Sequence, residues 1–397
     1  MGKERNEKKT GLTQKEIKRH KRFMRNMKKL LVRFIMKKFA FDFDQIDNSE
    51  EPCLILANHN TDYDPIFMGI ALKEHAYFVA SEHVTHKGIL SKLLMYWFHP
   101  IIHQKGKAGL KTAIEIIKTL QAGYSVVLFP EGNRSFDGVT EDIGMASAKL
   151  AKKTKAPVIT VRFEGGYLTQ PRWGNGVRRG KLYVRFVHKY SLEEMTKMSD
   201  EEFYAALKKD LHEDADERRK IDPVEYRGKR PAFGLERVIY RCPYCGKFKT
   251  MVSSDNHIKC RSCERELVWD DTGYLMGYDG SIFTVRNLCT EQREKLKRKI
   301  ENDPVKELFR DQVIVEKYND KHEVEKSEKG EIVVYGDHVE LGDKKIYSDD
   351  LLDLAIVGKN KLVVFRKTDQ AHFEIKGEEL FNALVYRDLY RANEEGK

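Results

Sequence analysis

The 397-residue sequence predicts an α/β fold with a mostly parallel central sheet, a compact cysteine module and a β-rich C-terminal part. Three observations predict it. Short apolar runs at 54–57, 125–129, 158–161 and 182–186 alternate with a helical pattern, Leu110, Ala113, Ile114, Ile117 and Leu120, stopped by Gly123. Strands without polar alternation, separated by helices, belong to a sheet covered on both faces. Two CxxC pairs then lie close together, and near the end the runs 355–357 and 362–365 flank the turn residues Gly358-Lys359-Asn360.

Taken in order, residues 15–40 read as one helix. Phe23, Met27, Leu30 and Phe34 form a stripe widened by Met24, Leu31 and Ile35, with Lys28, Lys29, Arg33 and Lys37 off it. Residues 1–40 hold 15 Lys/Arg and 3 Glu, which outweighs the chain's whole net charge of +10, so the remainder is slightly acidic. Charge alone therefore gives no case for nucleic-acid binding by the body of the chain. A basic helix with an apolar face suits an anionic membrane surface, and a helix packed on its own domain explains the same pattern. No apolar run reaches the roughly 18 residues of a spanning helix, and the N-terminus lacks the apolar core of a secretory signal. The expected boundaries are 1–45 for the basic segment, 46–222 for the α/β domain and 223–238 for a polar linker. A cysteine module follows at 239–275 and a β-rich domain at 276–397. Residues 191–219 read as a charged amphipathic helix, 290–309 as another, and 378–391 as a closing helix.

Two loops carry the candidate chemistry. Asn58-His59-Asn60-Thr61-Asp62-Tyr63-Asp64-Pro65 follows the first buried strand, where α/β folds place their sites. An imidazole near a carboxylate is suited to accept a proton at neutral pH, and no serine or cysteine at an elbow suggests a covalent intermediate. Asp64-Pro65 also has the pattern of a helix cap followed by proline. The second loop is Phe129-Pro130-Glu131-Gly132-Asn133-Arg134-Ser135. Gly132 permits close backbone approach, Arg134 offers a fork for phosphate, and Ser135 offers a hydroxyl.

Together these loops resemble the 1-acylglycerol-3-phosphate O-acyltransferases of the glycerolipid acyltransferase family. The family's first block, Asn-His-x-Ser/Thr-x-x-Asp, is matched from Asn58 to Asp64, and its third, Phe-Pro-Glu-Gly-x-Arg-Ser, from Phe129 to Ser135. Its fourth is similar to Ala156-Pro157-Val158-Ile159. The resemblance implies His59 as general base, Asp64 as its orienter, and Glu131, Gly132 and Arg134 at the glycerol-phosphate end, with Ser135 and Pro157 as further binding positions. Backbone donors near Gly132 would face the oxyanion. The second block departs, since Lys105 stands where the family has arginine, and a lysine lacks the bidentate fork. The implied reaction moves an acyl group from acyl-CoA or acyl-carrier protein to a lysophospholipid, giving phosphatidate. A different lysolipid or glycerol 3-phosphate remains open as acceptor. The implied location is cytoplasmic, peripheral on the inner face of the cell membrane.

Cys242-Pro-Tyr-Cys245 and Cys260-Arg-Ser-Cys263 supply two knuckles, the pattern of a four-cysteine zinc ribbon with a structural Zn2+. Residues 239–275 carry 6 Lys/Arg against 5 Asp/Glu, which argues against a grip on phosphate backbones, although a zinc-ribbon nucleic-acid-binding protein is the alternative from another class. Cys53 and Cys289 read as isolated buried thiols. The strands-then-helix order after 311 is similar to pleckstrin-homology-like domains.

Overall fold

A computed structural model describes residues 13–81, 95–96, 99–103, 109–319, 323–368, 372–378 and 380–395. The chain forms two compact units, one of Met1–Pro171 with Arg178–Tyr226, the other of Arg172–Val177 with Arg227–Lys397.

In the first unit, helix α1 (Gln14–Phe39) leads into a seven-stranded sheet. Its strands are β1 (Phe41–Phe43), β2 (Leu54–Ala57), β3 (Ala76–Ser81), β4 (Ile101–His103), β5 (Ser125–Leu128), β6 (Val158–Glu164) and β7 (Leu182–Tyr190), in the order β1-β7-β6-β2-β5-β3-β4. Every neighbouring pair is parallel except β6 with β7. Between the strands run α2 (Asp64–Ala71), α3 (Leu110–Gln121), α4 (Met145–Thr154) and the single turn α5 (Gly166–Thr169). All four residues of β2 are buried. Leu54 and Leu56 join Ile116, Ala148, Phe203 and Leu207 in one core cluster, which accounts for the unbroken apolar run.

The expected helix over 191–219 is three helices, α6 (Leu192–Lys197), α7 (Asp200–Leu211) and α8 (Ala215–Ile221). Ser199 starts α7 with a capping box to Glu202, and Asp214 caps α8 by accepting from the Asp216 and Glu217 N–H groups. Those caps give the chain new starts where the periodicity alone runs through.

Helix α1 packs against its own domain on one face. Ile17, His20, Ile35 and Phe39 are buried, and Lys28 Nζ donates to Leu72 O at 2.7 Å. Burial holds that ammonium below the usual lysine range. Ile35 is thus a core residue, not part of an outward stripe. Phe34 is 60% exposed. The side chains of Met24, Met27, Leu30 and Leu31 lie outside the described residues. Phe39 packs on Tyr63 and Phe67, with ring centroids 5.0 and 5.1 Å away, so α1 supports the start of α2.

The second unit holds two antiparallel sheets. Strands β8 (Met251–Ser253), β9 (His257–Cys260), β10 (Glu266–Trp269), β11 (Leu275–Gly277) and β12 (Ile282–Phe283) form a sequential meander. Helix α9 (Val285–Asn302) precedes β13 (Glu307–Tyr318), β14 (Val324–Tyr335), β15 (His338–Leu341), β16 (Lys344–Tyr347), β17 (Leu351–Val357), β18 (Lys361–Arg366) and β19 (His372–Gly377), and α10 (Ala383–Glu395) closes the chain. Their order is β16-β15-β14-β13-β19-β18-β17, two meanders joined where β13 pairs with β19. The segment Arg172–Val177 belongs here too. Trp173 is fully buried, edge-on to Trp269 at 5.6 Å, and Arg172 donates to the carbonyls of Gly358 and Ile356.

Candidate functional site

Both candidate loops leave the C-terminal ends of adjacent parallel strands, β2 and β5, whose register pairs Leu56 with Leu128. Sequence segments about 70 residues apart thereby emerge side by side, as parallel α/β sheets arrange their sites.

His59 Nδ1 lies 2.8 Å from Asp64 Oδ2. Asp64 is fully buried, whereas the His59 side chain is 22% exposed. The Asp64 carboxylate also accepts from the N–H groups of Asn60 and Thr61 at 2.6 and 2.9 Å and from Thr61 Oγ1 at 2.5 Å. It does not cap α2, which begins without a side-chain cap. Every one of these bonds runs back into the 59–61 loop, so the carboxylate that orients the imidazole also shapes its backbone. The imidazole stacks on Phe129 at 4.7 Å, a contact from the second loop. With Nδ1 beside Asp64, Nε2 is the ring nitrogen that the carboxylate does not engage.

Two asparagines anchor the loop to β6. Asn58 donates to Phe163 O at 2.9 Å and accepts from Phe163 N–H at 2.7 Å, while Asn60 donates to the same carbonyl at 3.0 Å. Gly166 backs this clamp, because a Cβ there would lie 2.7 Å from Asn60 Cβ.

Glu131 ties the loops together. Its two carboxylate oxygens accept from His59 N–H at 2.6 Å and Glu141 N–H at 2.7 Å. Desolvation raises the Glu131 carboxyl well above the usual range, and the two backbone donors pull the other way. In this geometry it holds the backbone of His59. Gly132 has φ +67°, a conformation that favours glycine, and its N–H donates to Phe129 O at 3.2 Å. That donor is engaged in its own turn.

Arg134 is 9% exposed. Its Nη1 donates to Gln170 O at 3.3 Å and its Nη2 lies 3.3 Å from Asp62 Oδ1. Ser135 is 2% exposed, and its hydroxyl accepts from Gly138 N–H and lies 3.3 Å from Asp137 Oδ1. The hydroxyl expected to serve a ligand closes a local turn. Pro157 is buried just before β6, with its carbonyl accepting from Leu54 N–H. This is the N-terminal end of the strands, opposite His59, so the fold does not bring Pro157 to the cluster. Lys105 lies outside the described residues. Sequence reasoning passed over Asp62, Gln170, Asn58 and Phe129 as working parts of the site.

Behind the β6 end, Arg218 joins Glu164 and Glu213, and Glu213 also accepts from Gly165 N–H at 3.2 Å. Burial pushes the Glu213 carboxyl up to about 7 against the attraction of Arg218. Between its ordinary value near 4.5 and about 7 the folded chain binds more protons than the unfolded one, so this group's contribution to stability falls as pH rises. The expected drop across that window is about 3 kcal/mol. Urea unfolding of Glu213→Gln should lack this component of the slope, and an unchanged slope would dismiss it.

In the second unit, the sulfurs of Cys242, Cys245, Cys260 and Cys263 lie within 4.8 Å of one another. Cys242 Sγ is 3.7 Å from Cys263 Sγ, and Cys245 Sγ is 3.8 Å from Cys260 Sγ. Zinc–sulfur bonds of about 2.3 Å in a tetrahedron give edges of about 3.8 Å, so the cluster has the size to hold a metal. The two knuckles share one construction. Gly246 N–H donates to Cys242 O and Glu264 N–H to Cys260 O, while the Cys242 and Cys260 N–H groups donate to Lys247 O and Arg265 O. Cys53 and Cys289 are buried and stand apart from this cluster.

Residues 39–164 match the Acyltransferase family model. The chain is 25% identical over 166 residues to a 1-acyl-sn-glycerol-3-phosphate acyltransferase of Streptococcus pneumoniae (strain ATCC BAA-255 / R6), a match that covers 40% of this chain and 57% of that protein. The chain thus spans little more than half the length of that relative. The crystal structure of the 1-acyl-sn-glycerophosphate acyltransferase PlsC from Thermotoga maritima aligns over 51% of this chain and 82% of its own, at 21% identity and TM-score 0.42. The segment that matches the Acyltransferase family model, residues 39–164, holds both loops.

Proposed function

We propose that this chain transfers an acyl group from acyl-CoA or acyl-carrier protein to the free hydroxyl of 1-acylglycerol 3-phosphate, giving phosphatidate. The observation that carries this reading is the buried Asp64 holding His59 Nδ1 at 2.8 Å beside the arginine-bearing loop. His59 Nε2 takes the acceptor hydroxyl proton as the oxygen attacks the thioester carbonyl carbon. The tetrahedral intermediate collapses by breaking the carbon–sulfur bond, and the imidazolium returns the proton to the departing thiolate. Arg134 pairs with the acceptor phosphate, and Glu131 keeps the His59 backbone fixed. The test is an acceptor screen of the full chain with labelled acyl-CoA and acyl-carrier protein. Preference for a zwitterionic lysolipid or glycerol 3-phosphate over 1-acylglycerol 3-phosphate would overturn the acceptor assignment.

The four cysteines would hold a structural Zn2+, since a closed tetrahedral thiolate set leaves no open position for catalysis. Docking to an anionic membrane, on its cytoplasmic face, falls to α1. No helix among the described residues is long and apolar enough to cross a membrane. The outward side of α1 exposes Phe34 and Met36 among Lys15, Lys18, Lys21, Arg22, Arg25, Arg33, Lys37 and Lys38. Deleting α1 would also remove the core residues Ile17, Ile35 and Phe39, so a point change is the cleaner probe. Phe34→Ser is expected to weaken binding to anionic vesicles several-fold with every cation retained. Undiminished co-sedimentation would move the docking surface elsewhere.

A further inference from the structure

Arg134 does not wait for a ligand as a bare cation. Asp62 occupies it, and Asp62 belongs to the same loop as the base. The carboxylate is held in a defined pose, because Gln170 grips it at two points. Asp62 N–H donates to Gln170 Oε1 at 2.9 Å, and Gln170 Nε2 donates to Asp62 Oδ2 at 3.1 Å. Its other oxygen lies 3.3 Å from Arg134 Nη2. Exposure is lopsided, since the Asp62 side chain is 65% exposed and that of Arg134 only 9%. An anion arriving from water therefore meets Asp62 before it reaches the guanidinium.

We propose that Asp62 is a specificity-determining residue, the resident anion that Arg134 exchanges for the phosphate of the acceptor. This rests on the reading of Arg134 as the phosphate-binding residue. A phosphate drawn to Arg134 comes within a few ångströms of a like charge, and such repulsion close to the surface is substantial. The pair thus sets a threshold. An acceptor bearing a phosphate supplies an anion to replace Asp62, whereas one without it leaves the Asp62–Arg134 pair closed. Asp62 thus weakens the binding of a phosphate-bearing acceptor, which must displace it from the guanidinium.

Asp62→Asn tests this. The substitution removes the charge, keeps an oxygen for Gln170 Nε2, and falls on an exposed side chain, so the fold is preserved. The expected result is a KM for 1-acylglycerol 3-phosphate about tenfold lower, with kcat within twofold. Glycerol 3-phosphate, titrated by calorimetry without any donor, should bind tighter by a similar factor. Both gains should shrink at high salt, as an electrostatic origin demands, and Asp62→Glu should stay near the parent. A raised KM, or glycerol 3-phosphate affinity that is unchanged or weaker, overturns the proposal and makes Asp62 a mere support for Arg134. The calorimetric arm needs no turnover, so a parent enzyme inactive on 1-acylglycerol 3-phosphate defeats the proposed reaction while the binding comparison still judges Asp62.

Discussion

His59→Ala is expected to lower acyl transfer about a thousandfold while the protein stays folded. A positioned general base contributes roughly 10²- to 10⁴-fold, and no neighbouring group on the loop replaces an imidazole near neutral pH. The fold tolerates the loss because of how the contacts are shared. His59 is partly exposed, and the alanine gives up one hydrogen bond and the face of Phe129. Asp64 keeps its three remaining donors from Asn60 and Thr61. The expected stability change is within about 1 kcal/mol. Asp64→Asn should behave differently, because an amide nitrogen would face backbone donors that need an acceptor. Loss of both activity and stability is expected there. Turnover of purified variants at saturating acceptor, with thermal melts alongside, separates the two residues. Full activity in His59→Ala would sink the proton-transfer mechanism.

What the sequence disclosed follows from what each segment must satisfy locally. β2 and β5 are legible because both faces are buried, so their apolar runs need no partner to be recognised. β4 is three residues long, and nothing in Ile101-Ile102-His103 announces a strand until β3 lies beside it. The direction of β7 was hidden for another reason. Its connection from β6 contains only the four-residue α5 in place of a crossover helix, and β7 runs antiparallel. The site shows the same division. His59 and Asp64 are five residues apart in one loop that leaves a buried strand, so local sequence with that context suffices. Asp62 and Gln170 are 108 residues apart, and only the return of the chain after β6 joins them. Ser135 and Pro157 differ in the opposite sense, since their residue types suit a ligand while the fold places the one in a local turn and the other at the far end of the sheet. Trp173 carries no local mark of its destination. It lies between α5 and β7 in sequence yet is buried against Trp269 in the second unit.

Removing the Zn2+ proposed for the four-cysteine cluster is expected to unfold the cysteine module and loosen the unit around it. A module of roughly 40 residues has too small a core to stand without a staple. The buried side chains of the module, Ile239, Tyr240, Met251, Ile258, Leu267, Trp269 and Leu275 with Cys242 and Cys260, make only a small core, and the two knuckles meet through their sulfurs. Metal binding supplies on the order of 10 kcal/mol to such sites, which exceeds what that core provides. The disturbance should not stop at the knuckles. Lys249, in the stretch between them, is buried with Asp311 of β13, and Asp311 accepts from the Tyr386 hydroxyl at 2.6 Å. Tyr240, just before Cys242, donates to the buried Asp388 of α10 at 3.0 Å. Unfolding the module would take Lys249 from Asp311 and Tyr240 from Asp388, and a buried group left uncompensated costs roughly 1–3 kcal/mol or more. A strong chelator applied to the full chain, or Cys260→Ser, should therefore lower the melting temperature of the second unit and change the fluorescence of Trp173 and Trp269. A colorimetric zinc assay on the untreated protein should return one ion per chain. Four freely alkylated thiols with no bound metal and an unaltered melt would mean that the sulfurs converge without a staple, and that Lys249 and Tyr240 hold the module from outside.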